Sequence, residues 1–194
     1  PIQFMSTIES PDGGAPRCQP LPVLALDEVR YVGQPVAFVV ARTRNHARDI
    51  AELVEVDYSE REHIVDLDRA AEPGALQVDS GTTNAVAEYR LGDVAECELA
   101  LAKATHQVTL RVLNNRVIPN PIEPRAAIGL YDDAEGTWTL YCGNQGPHLT
   151  RTMLAEKVFG VSPSQIRIRV QRIGGGFGSK ITPSIEDVLV LYAA

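Results

Sequence analysis

The sequence predicts an α+β fold in two parts, and three observations support this prediction. Two β-branched runs on either side of a Gly-Gln-Pro turn are followed by a helix-like segment near the N-terminus. Residues 72–84 form a run rich in turn residues, which separates the two parts. The second part combines a hairpin pattern, a helix and an alternating strand. We therefore expect a first domain over 1–72, a linker with a short helix over 73–104, and a second domain over 105–194.

The first domain begins with two predicted strands, Val29–Val32 and Val36–Ala41, joined by a turn at Gly33. Thr43 is a candidate N-cap for a helix that reaches about Val54, because apolar residues then recur on one face. Short extended pieces complete this part of the chain.

The second domain is predicted to follow a short helix over Val94–Lys103 and an extended run over Thr105–Val112. Its hairpin pairs 126–131 with 137–141 around an acidic turn. Pro147 is expected to open a helix that ends at Gly160, a typical residue just beyond a helix C-terminus.

The alternating run 166–173 is predicted as the next strand, with one polar face. Near the C-terminus, Ser184 and Asp187 have the spacing of a capping box for a last helix.

Composition excludes some classes of function. The 194 residues carry a formal net charge of −7, which argues against a nucleic-acid-binding surface. No stretch is apolar enough for a membrane span, and no signal peptide opens the sequence. The three cysteines, Cys18, Cys97 and Cys142, form no C-x-x-C pair, so neither a zinc site nor an iron–sulfur site is predicted. We expect a reducing, cytoplasmic location.

The most informative segment is the glycine loop, Gly174–Lys180, which has four glycines in its first five positions. Such a backbone can reach positive φ and offer bare N–H groups to an anion. The segment fails the P-loop pattern, because Ser179 precedes the lysine and Ile181 follows it. It also lacks the third glycine of a dinucleotide fingerprint. A tight turn without a ligand remains open.

Four pieces resemble, in the same order, the molybdenum-binding large subunit of the xanthine dehydrogenase, aldehyde oxidase and carbon monoxide dehydrogenase family. Residues 29–41 look like the a/b hammerhead domain of that family, and Asn120–Ala126 is similar to a stretch that opens its molybdenum-binding domain. The segment Asn144–His148 and the glycine loop resemble its cofactor site. The resemblance thus implies a hammerhead-like α/β unit followed by the beginning of a mixed α+β molybdopterin-binding domain.

The resemblance also implies site residues. Gln145 would face the oxo ligand of the molybdenum, to which a carboxamide can donate a hydrogen bond. The cofactor-binding residues would be Gly175, Gly176, Phe177 and Gly178, and no residue of this chain is expected to ligate the metal. Two alternatives stay open: Gln145 as a residue that bonds nearby backbone, and Phe177 as a core residue beneath the loop.

Several neighbouring residues have open roles. Purine-oxidising members of the family carry a glutamate where this chain has Ile181, which favours an aldehyde oxidase-like or carbon monoxide dehydrogenase-like protein. Glu123 and Arg125 are expected to form either a substrate-channel charge pair or a solvated surface pair. Lys180 is expected either to neutralise a cofactor phosphate or to be solvated. His148 is expected to be a surface or packing histidine.

The resemblance implies a fragment of a molybdenum hydroxylase large subunit that contributes one wall of the molybdopterin site. The implied cofactor is molybdopterin, in its cytosine dinucleotide form, with molybdenum. The implied partners are iron–sulfur and FAD subunits or domains and a small-molecule substrate. The family's catalytic glutamate is expected beyond residue 194, so the chain alone should be inactive and free of molybdenum. A noncatalytic scaffold and a nucleotide-binding enzyme remain as alternatives.

Overall fold

The computed structural model describes residues 22–78, 83–85, 92–115 and 117–194. Among these residues, one compact unit comprises 22–61 with 119–194, and the other comprises the described part of 62–118. The predicted linker is described only in part, because residues 79–82 and 86–91 lie outside these ranges, as does Cys18.

The described residues contain both helices and short strands, with the first three helices preceding the first two strands, so the predicted α+β class is confirmed. The α-helices are α1 Arg44–Ala51, α2 Leu67–Ala71, α3 Val94–Lys103, α4 Pro147–Met153 and α5 Ile185–Ala193. The strands are β1 Ala127–Asp132, β2 Thr137–Cys142 and β3 Ile166–Arg169. A π-helical turn, Leu154–Phe159, continues α4, and a 3-10 turn, Pro163–Gln165, precedes β3. No helix within the described ranges is long and apolar enough to cross a membrane.

The three strands form one sheet in the order β1-β2-β3. β1 and β2 are antiparallel, which confirms the predicted hairpin. The carboxylate of Asp132 accepts hydrogen bonds from two backbone N–H groups of the turn, and Gly136 closes the turn with a φ of 62°. β3 lies parallel to β2, with Leu140 opposite Ile168.

The core lies between this sheet and the helices α4 and α5. It consists of seven buried side chains: Leu140, Met153, Leu154, Ala155, Ile166, Val188 and Leu191. At one edge of the core, Trp138 stacks on Phe159 with 5.6 Å between ring centroids. The alternation in β3 has a simple cause, because Ile166 and Ile168 turn towards the core while Arg167 and Arg169 stay exposed. Pairing ends at Arg169, four residues before the predicted end of the strand.

The helix termini follow their capping residues. Thr43 accepts a hydrogen bond from the N–H of His46, and α1 ends at Ala51, three residues earlier than predicted. Gly160 ends the helix that Pro147 opens, with a left-handed φ of 67°, as predicted. The capping box between Ser184 and Asp187 is also confirmed.

The predicted strands at 29–32 and 36–41 are wrong. The Gly33 turn is present, with a φ of 91° and a 3.2 Å hydrogen bond from the N–H of Gln34 to the carbonyl of Tyr31. Ala25 N–H donates to the Pro35 carbonyl and Arg30 N–H to the side-chain oxygen of Gln34, but the flanking residues form no β-ladder within the described ranges. A β-strand exists only through a ladder to a neighbouring strand, so apolar β-branched runs without such a neighbour remain unpaired.

The second unit contains two capped helices. Asp66 caps α2, a helix that the sequence did not predict, and Asp93 caps α3, whose predicted bounds are confirmed. The side-chain amide of Asn84 donates hydrogen bonds to the carbonyls of Ala70 and Leu76. The predicted run 105–112 pairs with no strand within the described ranges.

We expect Gly129→Ala to destabilise the larger unit, 22–61 with 119–194, by about 2 kcal/mol. A Cβ at this position of β1 would overlap the backbone carbonyl of Val190 in α5. Gly136→Asn in the adjacent turn is the control. No atom lies within 4 Å of a Cβ built at Gly136, and asparagine tolerates a left-handed φ at a cost below about 1 kcal/mol. Urea unfolding of both variants measures the difference, and equal losses would contradict the steric explanation.

We expect the Cys142 thiol to resist alkylation in the folded chain. Burial, and then the charge of Asp187, raise the pKa of Cys142 to about 12, so on the order of one molecule in 10,000 carries the reactive thiolate at pH 8. The exposed Cys97 provides the internal comparison. Peptide mass spectrometry after iodoacetamide treatment should find Cys97 modified first and Cys142 modified only in urea. Equal labelling of the two in buffer would refute this expectation.

Candidate functional site

The site lies where two parallel strands end. Because β2 and β3 run in the same direction, their carboxyl ends share one edge of the sheet. Gln145 follows β2 by three residues, and the glycine loop begins five residues after β3. The sheet therefore brings these two segments together although they are about thirty residues apart.

The glycine loop forms a tight turn with a left-handed backbone. The φ angles of Gly175, Phe177 and Gly178 are 99°, 48° and 83°. The hydroxyl and the N–H of Ser179 both donate to the carbonyl of Gly176, over 2.7 and 2.9 Å. The backbone N–H groups of Gly175, Gly176 and Phe177 have no acceptor within the described part of the chain. Three successive unpaired amides in such a turn can bind an anion.

Gln145 holds the loop through its side-chain oxygen. Its Oε1 accepts hydrogen bonds from the N–H groups of Gly178, over 3.1 Å, and Lys180, over 3.3 Å. A Cβ at Gly176 would overlap the Gln145 carboxamide, so only glycine permits this approach. The Nε2 group of Gln145 has no partner among the described residues, and the residue is exposed. Gln145 thus hydrogen-bonds backbone groups that are more than thirty residues away in the chain, not nearby ones. Its Nε2 group remains a free donor.

A buried polar network fixes the segment around Gln145. Asn144 is buried, and its amide group donates to Thr150 Oγ1 over 2.8 Å, while its oxygen accepts from the N–H of Gly146. The hydroxyl of Thr150, itself buried, donates to the carbonyl of Ile181 over 3.3 Å. The N–H of Gln145 also donates to the carbonyl of Lys180 over 2.8 Å. With every one of these groups paired, the network can specify a single conformation.

Lys180 is buried and neutralised by Glu123. Its side chain is 1% exposed, and its Nζ donates to the Oε2 and to the backbone carbonyl of Glu123, over 2.9 Å each. The same Oε2 accepts the N–H of Gly174 over 2.7 Å. The hydrogen bond from Lys180, and then that from Gly174, hold the pKa of Glu123 below its ordinary value.

This arrangement corrects two expectations. Lys180 is not solvated, because Glu123 provides the counter-charge that makes burial possible. Glu123 and Arg125 do not pair with each other, since Arg125 lies 3.7 Å from Glu186 in an exposed ion pair.

Phe177 is not a core residue. Its side chain is 75% exposed, although its ring covers Gly175, where a Cβ would lie 3.1 Å from the ring. A phenylalanine with a left-handed φ costs about 1 kcal/mol, which the surrounding loop must offset. His148 lies on the surface, as expected. In the described residues, no group of three His, Cys, Asp or Glu side chains is placed to hold a metal ion.

The geometry speaks against a nucleotide-binding loop. β3 is an edge strand of its sheet, and no helix begins at Gly176. The next helix, α5, starts only at Ile185. A dinucleotide or phosphate loop of the usual kind leads directly into a helix whose N-terminus faces the phosphates.

Sequence reasoning missed the Glu123–Lys180 pair and the two glycines beside it. A Cβ at Gly174 would lie 2.6 Å from Glu123 Cβ, and a Cβ at Gly143 would lie 3.3 Å from its Oε2. The only signal in the sequence was one glycine in each of two segments, together with a glutamate between two prolines. This signal is too weak to identify the pair without the fold.

Two family models match the sequence. The model of the molybdopterin cofactor-binding domain covers residues 78–194. The model of the aldehyde oxidase and xanthine dehydrogenase a/b hammerhead domain covers residues 5–62. The hammerhead match thus ends one residue beyond segment 22–61 of the larger structural unit.

Curated relatives agree with these models. The carbon monoxide dehydrogenase large chain of Hydrogenophaga pseudoflava is 33% identical over 172 residues, which are 82% of this chain and 21% of that protein. The 6-hydroxypseudooxynicotine dehydrogenase complex subunit gamma of Paenarthrobacter nicotinovorans is 34% identical and covers 89% of this chain and 21% of its own length. The chain therefore spans about a fifth of the length of these relatives.

Solved structures have the same fold. A Cu,Mo-CO dehydrogenase in its carbon monoxide-reduced state matches with a TM-score of 0.75 and 32% identity, over 88% of this chain and 23% of that one. Quinoline 2-oxidoreductase from Pseudomonas putida 86 matches with a TM-score of 0.76 and 30% identity, over 89% and 22%. With both domain models matched in the expected order, the chain belongs to the family of molybdenum-binding large subunits that includes xanthine dehydrogenase, aldehyde oxidase and carbon monoxide dehydrogenase.

Proposed function

We propose that this chain forms one wall of a molybdopterin site in a molybdenum hydroxylase, with Gln145 and the glycine loop as the contacts. One observation carries the proposal. Three unpaired loop amides, at Gly175, Gly176 and Phe177, belong to the same small assembly as the free Nε2 donor of Gln145. Several unpaired N–H donors beyond the carboxyl ends of two neighbouring strands suit an anionic, oxo-rich group.

The residues present fit such a cofactor. The open side of Gly178, where a Cβ would meet no atom within 4 Å, leaves room for a ligand next to the loop. The exposed ring of Phe177 supplies an apolar cover that excludes water when a ligand is bound. The cofactor itself would supply two-electron oxidation chemistry at its metal. This chain would supply binding, through the loop amides, and orientation, through the donor of Gln145.

Further features of the complete protein belong to the same proposal. We assign the cofactor its cytosine dinucleotide form, and we assign iron–sulfur and FAD subunits or domains as the acceptors of the electrons. The substrate is a small molecule, and the location is the cytoplasm. Ile181 cannot hydrogen-bond a heterocycle through its side chain, which supports an aldehyde oxidase-like or carbon monoxide dehydrogenase-like protein over a purine oxidase. Each relative named above is an enzyme, so nothing favours the scaffold alternative.

We expect Gln145→Glu, in the complete enzyme, to reduce kcat by about tenfold or more, because one preorganised donor commonly contributes a few kcal/mol to a transition state. The substitution keeps an oxygen that can accept from Gly178 and Lys180 but removes the Nε2 donor. Molybdenum content per protomer separates lost catalysis from lost cofactor. His148→Gln, on the neighbouring surface, is the control and should leave both values unchanged. A Gln145→Glu enzyme as active as the parent would withdraw the donor role.

We expect Gly176→Val to prevent cofactor incorporation, because its side chain would displace the Gln145 carboxamide and open the loop. Molybdopterin content, read from the fluorescence of the released and oxidised pterin, should fall below about one tenth of the parent value. Gly136→Asn, in the distant hairpin turn, should retain full content. Normal pterin content in the valine variant would mean that the loop is not the cofactor contact.

A further inference from the structure

One carboxylate ties both ends of the glycine loop to a distant segment. Glu123 Oε2 accepts from the N–H of Gly174 at the start of the loop and from Lys180 Nζ at its end. The backbone of Glu123 adds two bonds, because its N–H donates to the carbonyl of Gly174 over 3.3 Å and its carbonyl accepts from Lys180 Nζ. The two ends of the loop are thus held by a single residue 51 and 57 positions earlier in the chain.

The surroundings have no space for a larger side chain at this junction. Gly174 and Gly143 both approach Glu123 so closely that a Cβ on either would come within 3.4 Å of it. Lys180 lies in the same cluster, since a Cβ at Gly143 would be 3.5 Å from its Nζ. Two glycines therefore make the space in which the carboxylate meets the ammonium.

The same tether bears on Gln145. The backbone of Lys180 exchanges two hydrogen bonds with Gln145, since its N–H donates to Oε1 and its carbonyl accepts the N–H of Gln145. Fixing the head group of Lys180 on Glu123 therefore limits the movement of the backbone that holds the Gln145 carboxamide. A shift of the tether would change the position of the carboxamide donor and of the loop amides together.

We propose that Glu123 is a positioning residue, which acts through Lys180 and Gly174 to hold the glycine loop in the conformation that binds the cofactor. The part of this inference that concerns the cofactor rests on the proposed function, whereas the part that concerns the loop conformation rests on the geometry alone. A solvated surface glutamate, which the sequence left open, would have neither task.

The test must separate positioning from charge balance. Glu123→Gln alone would leave the buried ammonium group of Lys180 without its counter-charge, and that change alone can unfold the protein. The second variant therefore replaces both partners, as Glu123→Met with Lys180→Met, which removes the unpaired charge and keeps similar volume. The control is Glu186→Gln, which removes an exposed ion pair with Arg125 in the same unit. Each variant is made in the complete enzyme and in this chain.

Three readouts are compared: the urea midpoint and the deuterium exchange of the hydrogen-bonded loop amides 178–180, both in this chain, and the molybdopterin content of the complete enzyme. Positioning predicts that the double variant regains the urea midpoint, while its loop amides exchange about tenfold faster and its pterin content stays below about a quarter. The control should match the parent in all three. A double variant with parental exchange, or with faster exchange but parental pterin content, would overturn the inference. A parent enzyme without molybdopterin would refute the proposed function instead, and the exchange experiment would then decide the role of Glu123 alone.

Discussion

The parallel pairing of β2 and β3 is the constraint on which the site depends. Because the two strands run in the same direction, the segments that follow them must begin at the same edge of the sheet. The chain uses this edge for Gln145 after β2 and for the glycine loop after β3. Leu140 and Ile166, buried in the two strands, fix the pairing through the core. The site therefore takes its position from the core of the larger unit.

Much of the fold could be predicted because its signals are local. The hairpin turn at Asp132, the capping of α1 by Thr43 and the end of a helix at Gly160 each depend on residues within one turn. Backbone dihedral preferences and short-range hydrogen bonds decide such features, and both are written in adjacent residues. The loop itself was also found locally, from its density of glycine.

The remaining features depend on contacts that are distant in sequence. Gln145 could be identified only by resemblance, and nothing near it indicates that its oxygen would bond Gly178. The burial of Lys180 requires Glu123, whose neighbours in sequence describe an ordinary extended segment. The strands proposed for 29–41 failed for a similar reason, since strand formation depends on a partner that local composition cannot supply. Sequence patterns gave the donors and the glycines, whereas the fold determined which of them meet.

The bond between Glu123 and Lys180 also has a consequence for the order of folding. It closes a segment of 57 residues that contains the whole hairpin, α4 and β3. The entropy lost on closing so long a segment is recovered only after these elements have packed, because their packing shortens the effective distance between its ends. The glycine loop should therefore be among the last parts of the larger unit to acquire its native conformation, on a sheet and core that are already formed.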